Sequence, residues 1–461
     1  MRDSSLDSSR ESDPLRRIVN IRVGEGVVVL LAAAVFYCLL MSFFIMRPIR
    51  EEMAQQGDVR NLKWLFVGTL GGMLIANPIF SWVAARTTRR FFIPAVYRFF
   101  MFNIVVFLAL FAYFGVGAEA SGEFNPHIAR AFYVWASVFN LFIVAVMWGL
   151  FADIFTSAQG KRLFGLIGVG GTLGAASGAA TTVFVAGHLP NPLLLLILSL
   201  LLLEVAVQCL RGLMRRYRIG EPDECTPGRA ERDSAGEPAE PGGSAWDGLI
   251  MILRSPYLLA VCAFMLLLTI TSTFVYFMLH NVISESGMES SDRIALFARM
   301  DLAINGLTLL IQLFLTGRIM RMIGVGATLG ALPLVTMIGF GAVAIAPVVA
   351  VVVVFNTLRR VSNFALSRPA REVLYTVVPR SQKYKSKSLI DTFFYRGGDV
   401  AGAFLFDALF KVLAGIGAVA LAAVPIAAVW GGTAIWLGRR QREKEAAAPA
   451  VIDTPSAILP P

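Results

Sequence analysis

Charge is scarce in this chain. Asp, Glu, Lys and Arg together make up 16% of its 461 residues, whereas 56% are hydrophobic. Soluble globular proteins carry about a quarter charged residues, so the deficit argues against a protein that meets water over most of its surface. Histidine is rarer still, with three copies, and the four cysteines are Cys38, Cys209, Cys225 and Cys262. Three of these cysteines sit in apolar blocks and one in a polar stretch, without a CxxC pair or metal-ligand spacing to a histidine. That pattern speaks against a disulfide framework and against a zinc site. The first 22 residues are polar, with Arg10, Arg16 and Arg17, and no small-residue cleavage site follows a short apolar region, so the start does not read as a cleaved signal peptide.

Catalytic machinery is missing too. The longest polar stretch, 211–255, is too short for a catalytic domain, and the chain has no Walker motif, nucleophile–base constellation or metal cluster. We therefore expect no enzyme activity and no cofactor. The glycines at Gly165, Gly168, Gly170, Gly171, Gly174 and Gly178 lack the G-x-G-x-x-G spacing of a dinucleotide loop, and no strand precedes them. They read instead as small residues that let two membrane helices approach closely.

What the chain has in abundance is apolar blocks. A helix needs about 20 apolar residues to cross roughly 30 Å of hydrocarbon. The blocks predict an all-α membrane protein with twelve transmembrane helices, at 24–46, 64–85, 91–114, 128–151, 163–187, 192–210, 256–280, 294–316, 324–346, 348–376, 388–411 and 416–437. Only Ala346-Pro347 separates the ninth from the tenth, and Ala414-Gly415 the last two.

The net charge of +10 reports topology rather than nucleic-acid binding. Basic residues gather in alternate loops: the N-terminal tail, Arg86 to Arg90, Lys161-Arg162, Arg211 to Arg218, Arg318 with Arg321, 380–387, and Arg439 to Arg442. The loops at 115–127, 188–191 and 281–293 carry Glu119, Glu123, Glu285, Glu289 and Asp292, with Arg293 as their one base. Lys and Arg accumulate on the cytoplasmic side, which places both termini inside. Segment 219–247 is rich in Pro, Gly and acids and cannot bury enough apolar surface to order itself. The expected organisation is a cytoplasmic tail 1–23, a six-helix half 24–210, a cytoplasmic linker 211–255, a second six-helix half 256–437 and a cytoplasmic tail 438–461.

The halves resemble each other. Lys161 precedes Gly170-Gly171 after the fourth span, and Lys387 precedes Gly397-Gly398 after the tenth. Two such halves related about the membrane normal describe a major facilitator-like arrangement.

Charged and polar residues inside spans are costly, about 2.5–3.5 kcal/mol each on insertion scales, and so face cavities or partners. In the eighth span Asp301, Asn305, Thr308 and Gln312 fall within about 60° of one another on a helix. Asn356, Arg360, Asn363, Ser367 and Arg371 form a stripe on the tenth, Thr269, Thr273, Tyr276 and His280 on the seventh. On the eleventh, Asp391, Tyr395, Gly398 and Gly402 share a face with Asp399 at its edge. Four such faces predict a wet interior, although each polar residue alone could simply join helices. His280, at the end of its apolar block, reads as interfacial. Arg368 and Arg371 could snorkel; Arg359 and Arg360 lie half-way along a long helix. The first span ends in MRPIREE, where Pro48 predicts a kink. Arg47 and Arg50 there either face inward or pair with Glu51 or Glu52.

These runs carry a family resemblance. MRPIREEMA (46–54), WGLFADIFTSAQGKRLFGLIGVGGTLGA (148–175), FARMDLAINGLTLLIQLFLTGR (297–318), RRVSNFALSRPAREVLYTVVPR (359–380) and KYKSKSLIDTFFYRGGDVAGAFLF (383–406) are similar to the ATP:ADP antiporter family of nucleotide exchangers, in its bacterial branch within the major facilitator superfamily. The resemblance implies strict exchange of cytosolic and external nucleotides, a basic phosphate-binding cavity between the halves, and alternating access. Arg50 resembles the family's basic residue after the first span. The family's acid in the fourth span has no counterpart in Val134 to Val138, and an ungapped match puts Asp399 where the family has a lysine, with Arg396 nearby.

The expectation is thus a monomeric antiporter of a small phosphorylated anion such as ATP or ADP, multi-pass in a bacterial inner membrane. Arg50, Arg360, Arg371 and Arg396, with Asn305, Asn363 and Tyr395, are its candidate substrate contacts. Asp301, Asp391 and Asp399 are candidates for coupling or for holding the arginines. A proton-coupled carrier of another organic solute, and a membrane partner or sensor that carries nothing, are the alternatives.

Overall fold

The computed structural model describes residues 25–56, 61–114, 126–155, 157–188, 192–216, 252–378, 390–413 and 415–447. The N-terminal tail, most of the 211–255 linker, the acidic loop at 115–125, the basic 380–387 loop and the end of the C-terminal tail lie outside these residues, as does the side chain of Asp391.

Regular structure among the described residues is helical throughout. In chain order the helices are α1 (Gly26–Gln56), α2 (Leu62–Arg86), α3 (Arg89–Phe114), α4 (Pro126–Ile154), α5 (Ser157–His188), α6 (Pro192–Arg216), α7 (Pro256–Glu285), α8 (Ser290–Phe314), α9 (Thr316–Ile345), α10 (Val349–Leu374), α11 (Tyr395–Leu413) and α12 (Ile416–Ala447). Eleven helices among the described residues are long and apolar enough to cross a membrane. The expected twelfth, α11, is absent from that set because Arg396, Asp399, Asp407 and Lys411 dilute its apolar content.

Several helices outrun the apolar blocks that predicted them. α1 continues past 46 for ten residues, through Pro48 and the charged Arg47–Glu52 run. α5 begins at Ser157 and α12 runs to Ala447. Hydropathy marks the part of a helix that sits in hydrocarbon, not the part that stays hydrogen-bonded. At the end of α12, Arg440 pairs with Glu443 and Gln441 donates to Glu445, contacts of the kind that support an exposed helical turn. The ninth apolar block starts at 324, and there the backbone does break. Gly324 has φ +79° inside α9, a left-handed geometry that only glycine adopts without cost. The Thr316–Ile323 turn before it is a separate piece.

The chain divides into two compact units. One is Met1–Pro241 with Ile283–Gly306; the other is Gly242–Val282 with Leu307–Pro461. α8 is therefore shared, its first part through Gly306 belonging to the first unit.

In the first unit α1 is the hub and packs on α5, α6 and α4. The glycines of α5 explain how closely. A Cβ placed on Gly170 would lie 2.5 Å from the Ala33 carbonyl oxygen, and one on Gly178 2.6 Å from that of Met41; Gly174 faces Tyr37 in the same way. Glycines four residues apart thus seat on carbonyls four residues apart, backbone to backbone, the close-approach mode of membrane helices. Gly174→Val should overpack this seam by about 3 kcal/mol or more. The expected result is a sharp fall in the yield of monodisperse detergent-solubilised protein, with Gly168→Val, whose site is open, as the tolerant control.

In the second unit α9 packs on α12 where Gly326 meets Gly438, and α11 lies on α7 where Gly398 and Gly402 meet Thr269 and Ile270. A core of Phe264, Met265, Leu332, Leu374 and Trp430 fills this unit.

Candidate functional site

The buried charges form two groups, one in each unit. In the first unit they are balanced. Arg47 Nη1 donates to Asp301 Oδ1 at 2.6 Å, and its Nε lies 3.9 Å from Glu51. Arg50 pairs with Glu51, donates to Ser137 Oγ at 3.3 Å and sits 4.9 Å from the centre of the Tyr133 ring. Glu52, fully buried, accepts from Arg293, from Ser290 at 2.9 Å and from Gln56 at 3.1 Å. Three arginines meet three carboxylates. The extension of α1 past Pro48 makes this possible, because it carries Glu51 and Glu52 into the core instead of leaving them at an interface. Arg293, read from sequence as the lone base of an acidic loop, is a helical residue of this network. Asn305, one turn below Asp301, is half-buried, and its Nδ2 meets no hydrogen-bond partner among the described residues.

In the second unit several guanidiniums gather around one tyrosine. Tyr395 lies within electrostatic reach of Arg396, Arg371, Arg359 and Asp399. Arg396 Nη1 is 3.4 Å from Asp399 Oδ2, and its guanidinium carbon is 5.7 Å from the centre of the Tyr395 ring. Arg371 Nη1 points at the Met265 sulfur, 2.8 Å away. Arg359 is 3% exposed and grips α7, donating to Leu268 O and Ser272 Oγ at 3.1 Å each. Arg360, beside it, is half-buried with its guanidinium 5.9 Å from the Phe364 ring centre. Asp399 is held from the other side through its backbone, whose carbonyl accepts from Thr273 at 3.4 Å.

A π-turn at Asn363–Ser367 interrupts α10, and a second at Ile390–Phe394 leads into α11. Such turns recur at functional sites and loosen the helical hydrogen-bond ladder. Here Gln312 donates to Phe364 O at 3.1 Å and Thr316 to Ala365 O at 2.8 Å. The extra residue rotates everything beyond it, so Arg371 no longer continues the face of Arg360. Ser367 becomes fully buried, and Asn363 Oδ1 meets no partner among the described residues.

The structure thus brings Arg371, Arg396, Tyr395 and Asp399 together in the second unit, with Arg360 next to Arg359 and Asn363 at the start of the π-turn. It places Arg50, Asn305 and Asp301 in the first. His280 is not interfacial: α7 runs on to Glu285, the ring is fully buried, and it packs 4.3 Å from the ring of Tyr276. Arg359, Arg47, Arg293 and Glu52 were not among the chosen site residues. Arg359 had a readable signal, since it recurs with Val352 and Phe355 on the buried face of α10, where an ionised group is costly.

Residues 129–440, more than half of the chain, match the family model described as TLC ATP/ADP transporter. The chain belongs to the TLC ATP/ADP transporter family. It is a multi-pass membrane protein and a secondary transporter. Solved structures agree on the fold of this transporter. A bacterial homologue of the iron transporter ferroportin, in an inward-facing state, is 13% identical with TM-score 0.59, covering 89% of this chain and 100% of that one. A POT family peptide transporter is 14% identical with TM-score 0.57 over 90% and 96% of the two chains. The nucleoside transporter NupG is 11% identical with TM-score 0.56 over 91% and 98%. No curated protein matches the chain.

The transporter's departures from the family pattern acquire a physical account. Without an acid in the fourth span, Arg50 finds Ser137 on α4 and takes its carboxylate, Glu51, from its own helix. Asp399, which the ungapped match sets against a lysine, is paired with Arg396 three residues earlier.

Proposed function

We propose that this transporter exchanges nucleotides of the ATP and ADP type across a bacterial inner membrane, acting as a monomer with both termini cytoplasmic. The observation that carries the reading is the gathering of three guanidiniums around one tyrosine in the second unit. Arg359, Arg371 and Arg396 stand near Tyr395 with Asp399 as their carboxylate. A cluster of this kind suits an anionic guest, because guanidinium groups bind phosphate bidentately. Arg360, Arg371 and Arg396 are the phosphate contacts in this reading, Asn363 and Tyr395 supply hydrogen bonds, and Asp399 holds Arg396 until substrate arrives. Arg50 and Asn305 are the candidates of the first unit, with Asp301 positioning Arg47. Asp391 is the remaining coupling candidate.

Exchange needs no ATP hydrolysis. Empty and loaded carriers differ in the charge left exposed, so only the loaded form crosses readily. In vesicles reconstituted with the purified protein, labelled ATP should enter when ADP is inside and should not enter empty vesicles. Uptake into empty vesicles driven by a proton gradient would instead favour a proton-coupled carrier, and no uptake of nucleotide under either condition would remove the nucleotide claim.

A further inference from the structure

α3 and α6 run side by side in the first unit, and where α3 begins and α6 ends they leave an open groove of about 660 Å³. Arg90 and Arg98 from α3 and Arg211 and Arg215 from α6 line it, together with Phe99 and Phe102. The arginines are not alike. Arg98 is 2.8 Å from Glu204 and is neutralised by it. Arg90, Arg211 and Arg215 form no ion pair among the described residues.

The depth profile identifies the guest. At 1.5 Å per residue, Phe102 lies about 18 Å along the helix from Arg90. The unpaired arginines sit at the helix ends, at headgroup level. The deeper arginine carries its own counter-ion, as a cation at acyl depth must. Phe99 and Phe102, 60% and 66% exposed, continue the groove into the apolar zone. A soluble anion would use the basic end and leave the aromatic floor unexplained. A lipid uses both, with its phosphate among the arginines and its chains along the phenylalanines. This end also carries the basic 86–90 turn and Arg211 to Arg216, the side to which basic residues are sorted and where anionic lipids are met.

We propose that this groove is a specific site for an anionic phospholipid, its phosphate held by Arg90, Arg211 and Arg215 and its acyl chains lying on Phe99 and Phe102. The site is separate from the charge groups assigned to transport, so it stands whatever the substrate is.

Native mass spectrometry of the full-length protein in mild detergent, titrated with phosphatidylglycerol, cardiolipin or phosphatidylethanolamine, tests it. The two anionic lipids should give retained adducts and the zwitterionic one should not. An arginine near a lipid surface is worth roughly fivefold in affinity, so Arg90→Gln/Arg211→Gln/Arg215→Gln should weaken the anionic adducts about 100-fold. Arg211→Gln alone should cost about fivefold, which keeps the test valid if the triple variant does not elute as a folded peak. Equal retention by variant and parent, or equal binding of the zwitterionic lipid, overturns the proposal. So does loss of the adduct in excess inorganic phosphate, which would assign the arginines to a soluble anion.

Discussion

Arg359→Met is expected to give a transporter that is more thermostable than the parent and exchanges nucleotide at about one tenth to one hundredth of its rate. The two effects have one cause. Arg359 is buried at 3% exposure, and its hydrogen bonds go to neutral acceptors, Leu268 O and Ser272 Oγ, with Nε meeting no partner among the described residues. Its charge is compensated at longer range by Asp399 and opposed by Arg360. Replacing buried charge with an apolar chain of similar volume is often neutral or stabilising by about 1–4 kcal/mol. Losing the charge also removes positive potential from the Tyr395 cluster, and a hydrogen bond to a charged group contributes about 1.5–3 kcal/mol, or about 10- to 100-fold in affinity. Arg359→Lys keeps the charge but cannot span both acceptors and should fall between. Thermal melts with and without ATP, alongside exchange assays, separate the two roles. If Arg359 only braces α7, the Met variant melts earlier and keeps its ATP-induced shift.

Most of the architecture was legible because membrane helices must satisfy their backbone internally and present apolar faces to lipid. Length and hydropathy therefore located the apolar part of each span, and of the six glycines from Gly165 to Gly178 read as small packing residues, Gly170, Gly174 and Gly178 seat on α1 carbonyls while Gly168 is open. The sequence misled where helix and hydrocarbon part company. α1 stays helical through Pro48, and this buries Glu51 and Glu52, which an apolar-block reading assigns to the surface. His280 was misplaced for the same reason. Uniform 100° steps also failed at Asn363–Ser367, where a π-turn shifts the phase of α10. Arg371 reaches the Arg359–Tyr395 cluster by a register that no ideal helical wheel contains. The pairing of Arg47 with Asp301, 254 positions apart, has no local signature at all. It needs the fold to bring the start of α8 onto α1.

That pair is the basis of the second large effect. Asp301→Asn should destabilise the transporter by about 3–5 kcal/mol, because removing one partner leaves the other as an uncompensated buried charge. At the usual scaling for a chain of this size, the melting point should fall by about 3–5 °C. The damage should also spread. Arg47 is 3.9 Å from Glu51, the carboxylate that Arg50 uses. Once freed from Asp301, Arg47 moves onto Glu51 and Arg50 loses part of its hold, so three arginines compete for two acids. Arg47→Gln/Asp301→Asn takes away one charge of each sign, restores the balance of the network and should recover most of the lost melting temperature. A double-mutant cycle measures the difference directly. A double variant no more stable than the sum of its single changes predicts would show that these side chains act independently and that the first unit is not held by a coupled charge network. Strong coupling would explain why α8 through Gly306 goes with the first unit rather than with the residues that follow it.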